Sequence, residues 1–402
     1  MKLSQNAKNA IMLGTLCSVS YFAVYIARNL LGAVTPQIIE SGVFDEVLIG
    51  SMSSLYFITY ALGQLINGMI GDRVKAKYMI AGGLSFAALL SLVFPFLTAT
   101  PTVAIIVYGA TGLGLSMIYA PMAKIISENT DSIHATRCSL GYTFASFFGS
   151  PGAGLLAALF AWQSVFITSS AILLLMGITS FLCFTLFERR GVITYGKYTR
   201  AKKEKGSIKV LLEREIVKYS LISVLTGVIR TSVIFWLPTY FAQNLGFTSD
   251  EAASIYTVAT LVISLTAFVS VFVYERLGRN QNLTILLMFC SSTLFFLLTY
   301  FVQIPVLNIV CIVLAIMSSN GAASMIWSVY SPSLYDTGMV STATGFLDFL
   351  SYMAAALANL VFANAVGSIG WGNLILVWAG LVLLGLLISL PYGGWKDKRK
   401  AM

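Results

Sequence analysis

The chain has 402 residues, of which 57% are hydrophobic and only 10% charged, with a mean hydropathy of +0.84. Soluble domains carry roughly a quarter charged residues, so this composition excludes an ordinary water-covered globule and predicts an all-α polytopic membrane protein. The net charge of +9 is concentrated in one connection and at the C-terminus, which favours anionic lipid headgroups over nucleic acid as a partner, and five cysteines without a CxxC pair give no metal, redox centre or cofactor.

A window of about 19 residues predicts twelve membrane spans. The first half holds 12–34, 47–70, 77–97, 102–125, 138–161 and 164–187. The second holds 217–241, 252–274, 282–300, 305–329, 339–362 and 371–391. The first segment lacks a small-residue cleavage site and carries Tyr21, Tyr25 and Arg28, so it reads as a retained span rather than a signal peptide. Basic residues follow the even spans: Arg73, Lys75 and Lys77 after the second, Lys124 and Arg137 after the fourth, Arg276 and Arg279 after the eighth. The link from Glu188 to Lys218 and the tail WKDKRKAM are basic too, whereas the odd connections carry Glu40, Asp45, Glu46, Asp250 and Glu251. Positive-inside bias therefore predicts cytoplasmic termini and a cytoplasmic central link in a cell inner membrane.

That link divides the chain into a six-helix half at 1–187, a linker at 188–216 and a second six-helix half with its tail at 217–402. GDRVKAK after the second span has a weak echo in YERLGRN after the eighth, as expected of parallel six-helix repeats. No GxxxxGK[ST] loop is present, so gradients of ions or counter-substrates must drive any pumping.

Two arginines stand inside apolar spans, Arg28 in the first and Arg230 in the seventh. A charge at bilayer depth costs at least about 2.5 kcal/mol and marks a functional cavity by default. If the two meet near the midplane, they form an oxyanion site, since guanidinium engages oxyanions through two parallel donors; the alternatives are pairing with an internal acid or snorkelling. Tyr21 and Tyr25, at i−7 and i−3 from Arg28, share its helical face, with an interfacial anchor as the lesser alternative for Tyr21. Trp236 walls the cavity or faces lipid, Pro238 kinks or ends its helix, and Tyr240 lies too near the surface to reach a central ligand. Gln64 and Asn67 are hydrogen-bonding candidates for the cavity or for an interhelical bond. For Asp348 three roles stay open: neutralising an arginine, carrying a coupled proton, or facing a polar seam. Asp72 and Arg73, with Glu275 and Arg276 at the corresponding place, read as gating residues, and His134 reads as an exposed loop residue.

The chain resembles the major facilitator superfamily, and within it the organophosphate:phosphate antiporter family, on Tyr21, Tyr25 and Arg28 with their spacing, on YALGQLINGMIGDR, and on Arg230 followed by Trp236, Pro238, Thr239 and Tyr240. The resemblance implies a twelve-helix major facilitator fold that acts as a secondary active transporter by alternating access, with Arg28 and Arg230 clamping a phosphate and the tyrosines lining the same cavity. It implies a phosphate ester or related organic anion as substrate, exchanged for inorganic phosphate, in a monomer surrounded by lipid and without enzymatic activity. Several family positions differ. No histidine stands near Ser146, Gln64 replaces a basic residue, and Asn29 and Phe235 replace a base and an acid able to pair. The resulting cavity is less basic, which suits a less charged or partly apolar anion. Proton coupling, a lipophilic substrate and a ligand-sensing role are the alternatives.

Overall fold

A computed structural model describes residues 5–71, 74–195, 208–334 and 340–390, all helices and short connections with no strand among them. Asp72, Arg73, most of the central link and the C-terminal tail lie outside the described residues.

The helices follow the apolar windows. α1 is Gln5–Glu40, α2 Glu46–Gly71 and α3 Ala76–Val93, which a 3₁₀ turn at Phe94–Phe96 extends. The fourth span is split into α4 (Pro101–Ser116) and α5 (Tyr119–Asn129), and the fifth into α6 (Ser132–Phe147) and α7 (Gly149–Leu159). α8 is Trp162–Arg189, and a short α9 (Ile208–Glu213) precedes the seventh span. That span consists of α10 (Ile216–Gly227), a π-helical stretch at Val228–Val233 and α11 (Ile234–Leu245). α12 (Ser249–Ser264) and α13 (Thr266–Arg276) make the eighth span, and α14 (Gln281–Phe301) the ninth. The tenth is α15 (Pro305–Met325), continued by a second π-helical stretch at Ile326–Tyr330 and the short α16 (Ser331–Ser333). α17 runs from Val340 to Ser389.

Among the described residues, nine helices are long and apolar enough to cross a membrane. One of these, within α17, carries the eleventh and twelfth predicted spans and turns at Gly370, whose φ of 74° is open to glycine but strained for other residues. Adding α2 and the interrupted α6–α7 pair accounts for all twelve predicted spans. Large apolar side chains such as Leu175, Leu182 and Phe268 are exposed along the helices, a surface suited to lipid rather than water.

Two local expectations need correction. His134 is not in a loop; it sits in the first turn of α6, where Asp131 caps the helix by accepting the His134 amide at 2.9 Å and lies 2.8 Å from its imidazole. Pro238 does not end its helix, because α11 runs through it to Leu245, and the irregularity falls in the π stretch one turn earlier. The carbonyl that the Pro238 ring crowds is that of Ile234, the first residue after the π stretch.

The chain packs as two compact units. One comprises Met1–Lys202, Ile234–Leu261 and Ala355–Ser368; the other comprises Lys203–Val233, Val262–Ala354 and Ile369–Met402. In the first unit, helices from both halves of the sequence meet at the face where α1 ends. Gln37 donates to the Ala157 carbonyl at 2.6 Å and to Asp250 at 3.4 Å, Ser249 donates to Glu40, and Gln243 donates to Glu46 at 2.8 Å. Deeper in, Asn359 donates to Ser53 at 2.8 Å, and glycines permit close approach: Gly32 to Phe235, Gly50 to Asn359 and Ala363, Gly154 to Tyr256 and Thr257. At the opposite end of this unit Glu188 accepts from Lys75 at 2.7 Å and from Lys77 at 2.6 Å. The start of the central link is held beside it, where Asn129 and Thr194 exchange two hydrogen bonds.

Candidate functional site

In the first unit the site is built around Arg28, half-buried on α1. Its guanidinium carbon lies 5.2 Å from the Tyr25 ring centre, 5.4 Å from Phe57 and 5.2 Å from Tyr60. Each such contact is worth about 0.5–2 kcal/mol, depending on desolvation. Ring faces attract the cation without using its in-plane N–H donors. Phe57 was not singled out in the sequence and Tyr60 only as the first residue of YALGQLINGMIGDR, yet Phe57, Tyr60 and Gln64 stand at i, i+3 and i+7 on α2, a single helical face. Gln64 is half-buried there.

Tyr21 is buried and packs its ring 4.9 Å from Tyr25, 5.8 Å from Tyr119 and 5.6 Å from Tyr142. Ser146 follows Tyr142 by one turn on α6 and is half-buried. The Asn29 amide is turned back onto its own helix, donating to the Tyr25 carbonyl at 2.6 Å. Asn67 donates to Ser116 at 2.8 Å, the interhelical bond that was one of its two readings. Trp236 and Tyr240 are fully buried in this unit, Trp236 against Gly50 and with no hydrogen-bond partner for its indole N–H among the described residues.

The second unit holds Arg230. The side chain is half-buried and sits within the π stretch at Val228–Val233. Among the described residues it has no hydrogen bond or ion pair, and its one contact of note is the Trp327 ring, 5.9 Å from the guanidinium carbon. Trp327 lies in the other π stretch. π-helical turns inside α-helices are rare and concentrate at functional sites, because the extra residue redirects side chains and leaves backbone groups loosely paired. Asp348, also half-buried, lies on α17 beside the contact with α10, where Ser223 donates to the Leu347 carbonyl at 2.9 Å and Gly227 meets Ser351. Glu275 and Arg276 are exposed at the end of α13, with Arg276 over the Phe272 ring of its own helix at 5.1 Å. Their counterparts Asp72 and Arg73 fall outside the described residues. No group of histidine, cysteine and acidic residues able to hold a metal occurs among the described residues.

A cationic side chain stands on each of two apolar helices, Arg28 among three aromatic rings and Arg230 beside one, and such intramembrane cations mark transport proteins. The sequence model of the Major Facilitator Superfamily matches residues 17–359. The chain belongs to the Major Facilitator Superfamily. This superfamily member is similar to the membrane sensor protein UhpC of Escherichia coli (strain K12), 21% identical with 95% of this chain and 92% of the relative covered. It is similar to the glycerol-3-phosphate transporter of Bacillus subtilis (strain 168), 22% identical with 94% and 91% covered. The phosphoglycerate transporter protein of Salmonella typhimurium is 22% identical, with 94% and 87% covered. These relatives agree with the resemblance to the organophosphate:phosphate antiporter family. Among solved structures, a bacterial homologue of the human lysosomal transporter Spinster superposes with a TM-score of 0.78 at 13% identity, covering 96% of this chain and 97% of that one. The superfamily member is thus a polytopic membrane protein of transporter fold, not an enzyme.

Proposed function

We propose that the chain is a secondary active transporter of a small organic anion, a phosphate ester or related phosphorylated compound, working by alternating access. The observation that carries this reading is Arg230, a half-buried guanidinium in a π stretch of an apolar helix with no ion pair among the described residues. Such a fixed cation is costly in lipid unless an anion completes it. Arg28 is the second cation. That both serve one anion rests on their corresponding places in the first span of each sequence half, 1–187 and 217–402. Tyr21, Tyr25, Gln64 and Ser146 are the polar groups of the first unit assigned to the same ligand, with Tyr25 against Arg28 and Tyr21 against Tyr25. The glycerol-3-phosphate and phosphoglycerate relatives support a phosphorylated substrate.

Exchange for inorganic phosphate needs no titrating side chain, whereas proton coupling would fall to Asp348. The lysine and arginine bias supports cytoplasmic termini and a cytoplasmic link at 188–216, the bacterial relatives support an inner membrane, and the transporter is taken to act as a monomer. Glu275 and Arg276, with Asp72 and Arg73, act in gating on the cytoplasmic side. The similarity to a membrane sensor favours one second reading, in which ligand binds without being moved. Purified protein in proteoliposomes separates the two. A transporter takes up labelled glycerol 3-phosphate or phosphate, faster with phosphate inside if it exchanges. A sensor is stabilised by the same ligands and shows no flux.

A further inference from the structure

The second unit holds a polar face that the arginine alone does not use. α15 carries Asn320 and Ser324, and the π stretch continuing it carries Trp327. At i, i+4 and i+7 the three share one helical face. All three are half-buried, whereas Gly321, Ala322, Ala323 and Met325 between them are buried. The Asn320 carboxamide oxygen is shut off from solvent and has no hydrogen-bond partner among the described residues. An unmet buried acceptor is unfavourable, so it calls for a state of the protein in which a donor arrives. Ser324 gives its proton to the Asn320 backbone carbonyl at 2.9 Å, which leaves its oxygen as an acceptor as well. Two acceptors therefore stand on the same face as the ring that meets Arg230.

We infer that Asn320, Ser324 and Trp327 form the specificity-determining face of the Arg230 site and bind the hydroxyl-bearing carbon portion of a phosphorylated ligand. The inference rests on the anion-binding role proposed for Arg230. With the phosphoryl group on the guanidinium, the carbon skeleton runs along Trp327, whose ring offers C–H bonds an apolar face. Its hydroxyls then donate to the Ser324 and Asn320 oxygens. Seven residues of helix separate Trp327 from Asn320, about 10 Å at 1.5 Å per residue, so the skeleton that satisfies both ends is the size of a hexose phosphate. A carboxylate or bare alkyl group at that end leaves both acceptors unmet, and inorganic phosphate reaches only the arginine.

The test is ligand-induced stabilisation of the full-length purified protein by glucose 6-phosphate and by inorganic phosphate, expressed as the ratio of their affinities. The native protein should favour glucose 6-phosphate, and Asn320→Leu should lower that ratio about tenfold, as loss of one buried hydrogen bond does. Asn320→Ser, a smaller change that keeps a polar group, is read in its place if the leucine variant does not fold, and Trp327→Leu should lower the ratio too. Arg230→Lys should weaken both ligands together. If Arg230→Lys weakens both while Asn320→Leu and Trp327→Leu leave the ratio unchanged, the specificity face is wrong and the anion site stands. If Arg230→Lys weakens neither, the anion site fails and the inference falls with it. A native protein that prefers inorganic phosphate also overturns the inference.

Discussion

Gly32→Ala probes the packing that closes the Glu40 face of the first unit. A Cβ at Gly32 would stand 2.9 Å from the Phe235 carbonyl oxygen, 3.0 Å from its Cδ2 and 3.2 Å from its Cα. Two of these are backbone atoms, so turning the phenylalanine ring cannot relieve the crowding and α1 must draw back from α11. Overpacking of this kind costs about 1–3 kcal/mol. Alanine also favours helix over glycine by about 1 kcal/mol, but that gain is common to every state in which α1 is helical and cancels from the balance between sealed and open forms. The balance should therefore move about 5- to 150-fold toward the open form. The reporter is a cysteine at Ser53, a buried position hydrogen-bonded by Asn359, treated with an impermeant maleimide from the Glu40 side. Gly32→Ala should speed its labelling at least about fivefold, and Gly82→Ala, where nothing lies within 4 Å of an added Cβ, should not. Equal rates in all three proteins would refute the idea that this contact holds the face closed.

Cysteines introduced near Lys203 and near Glu251 should be labelled by an impermeant reagent from opposite sides of the membrane; labelling from one side would overturn the proposed orientation. Asp348→Asn should abolish uptake driven by a pH gradient alone if Asp348 carries the proton, while uptake driven by internal phosphate should survive; equal gradient-driven uptake in native and variant protein would remove Asp348 from coupling. Glu188→Gln should lower stability by about 1–3 kcal/mol, because the Lys77 ammonium it neutralises is only 8% exposed and loses a charged partner. Lys75→Gln should cost less, since that side chain is 47% exposed and its ion pair is screened by solvent; equal effects in thermal melts of the two variants would contradict the assignment.

The sequence carried the architecture because lipid leaves so few solutions: a long apolar window has to be a helix, and basic connections between windows mark one side. Arg28, Arg230 and Tyr25 stood out for the same reason, being polar groups where polar groups are costly. What escaped notice was of two kinds. The π stretches around Arg230 and Trp327 have no residue pattern that separates them from an α-helix, since the change is one extra residue in a turn. The polar face of α2 was seen only in Gln64 and that of α15 was missed, because aromatic, serine and asparagine side chains in an apolar span look like ordinary helix packing. Only their spacing, Phe57–Tyr60–Gln64 and Asn320–Ser324–Trp327, distinguishes them. The interruption between α6 and α7 was readable in principle, since Pro151 in the third position after Phe148 favours the start of a new helix.

The most direct test of the central claim is uptake of labelled glycerol 3-phosphate and phosphate into proteoliposomes by native protein, Arg28→Lys and Arg230→Lys. Lysine keeps the charge but supplies no planar pair of donors, so loss of one charge-assisted bond of about 1.5–3 kcal/mol should lower uptake at limiting substrate by about 10- to 150-fold in each variant. Native-level uptake by both lysine variants would contradict the account, as would saturable binding to native protein with no flux under any gradient.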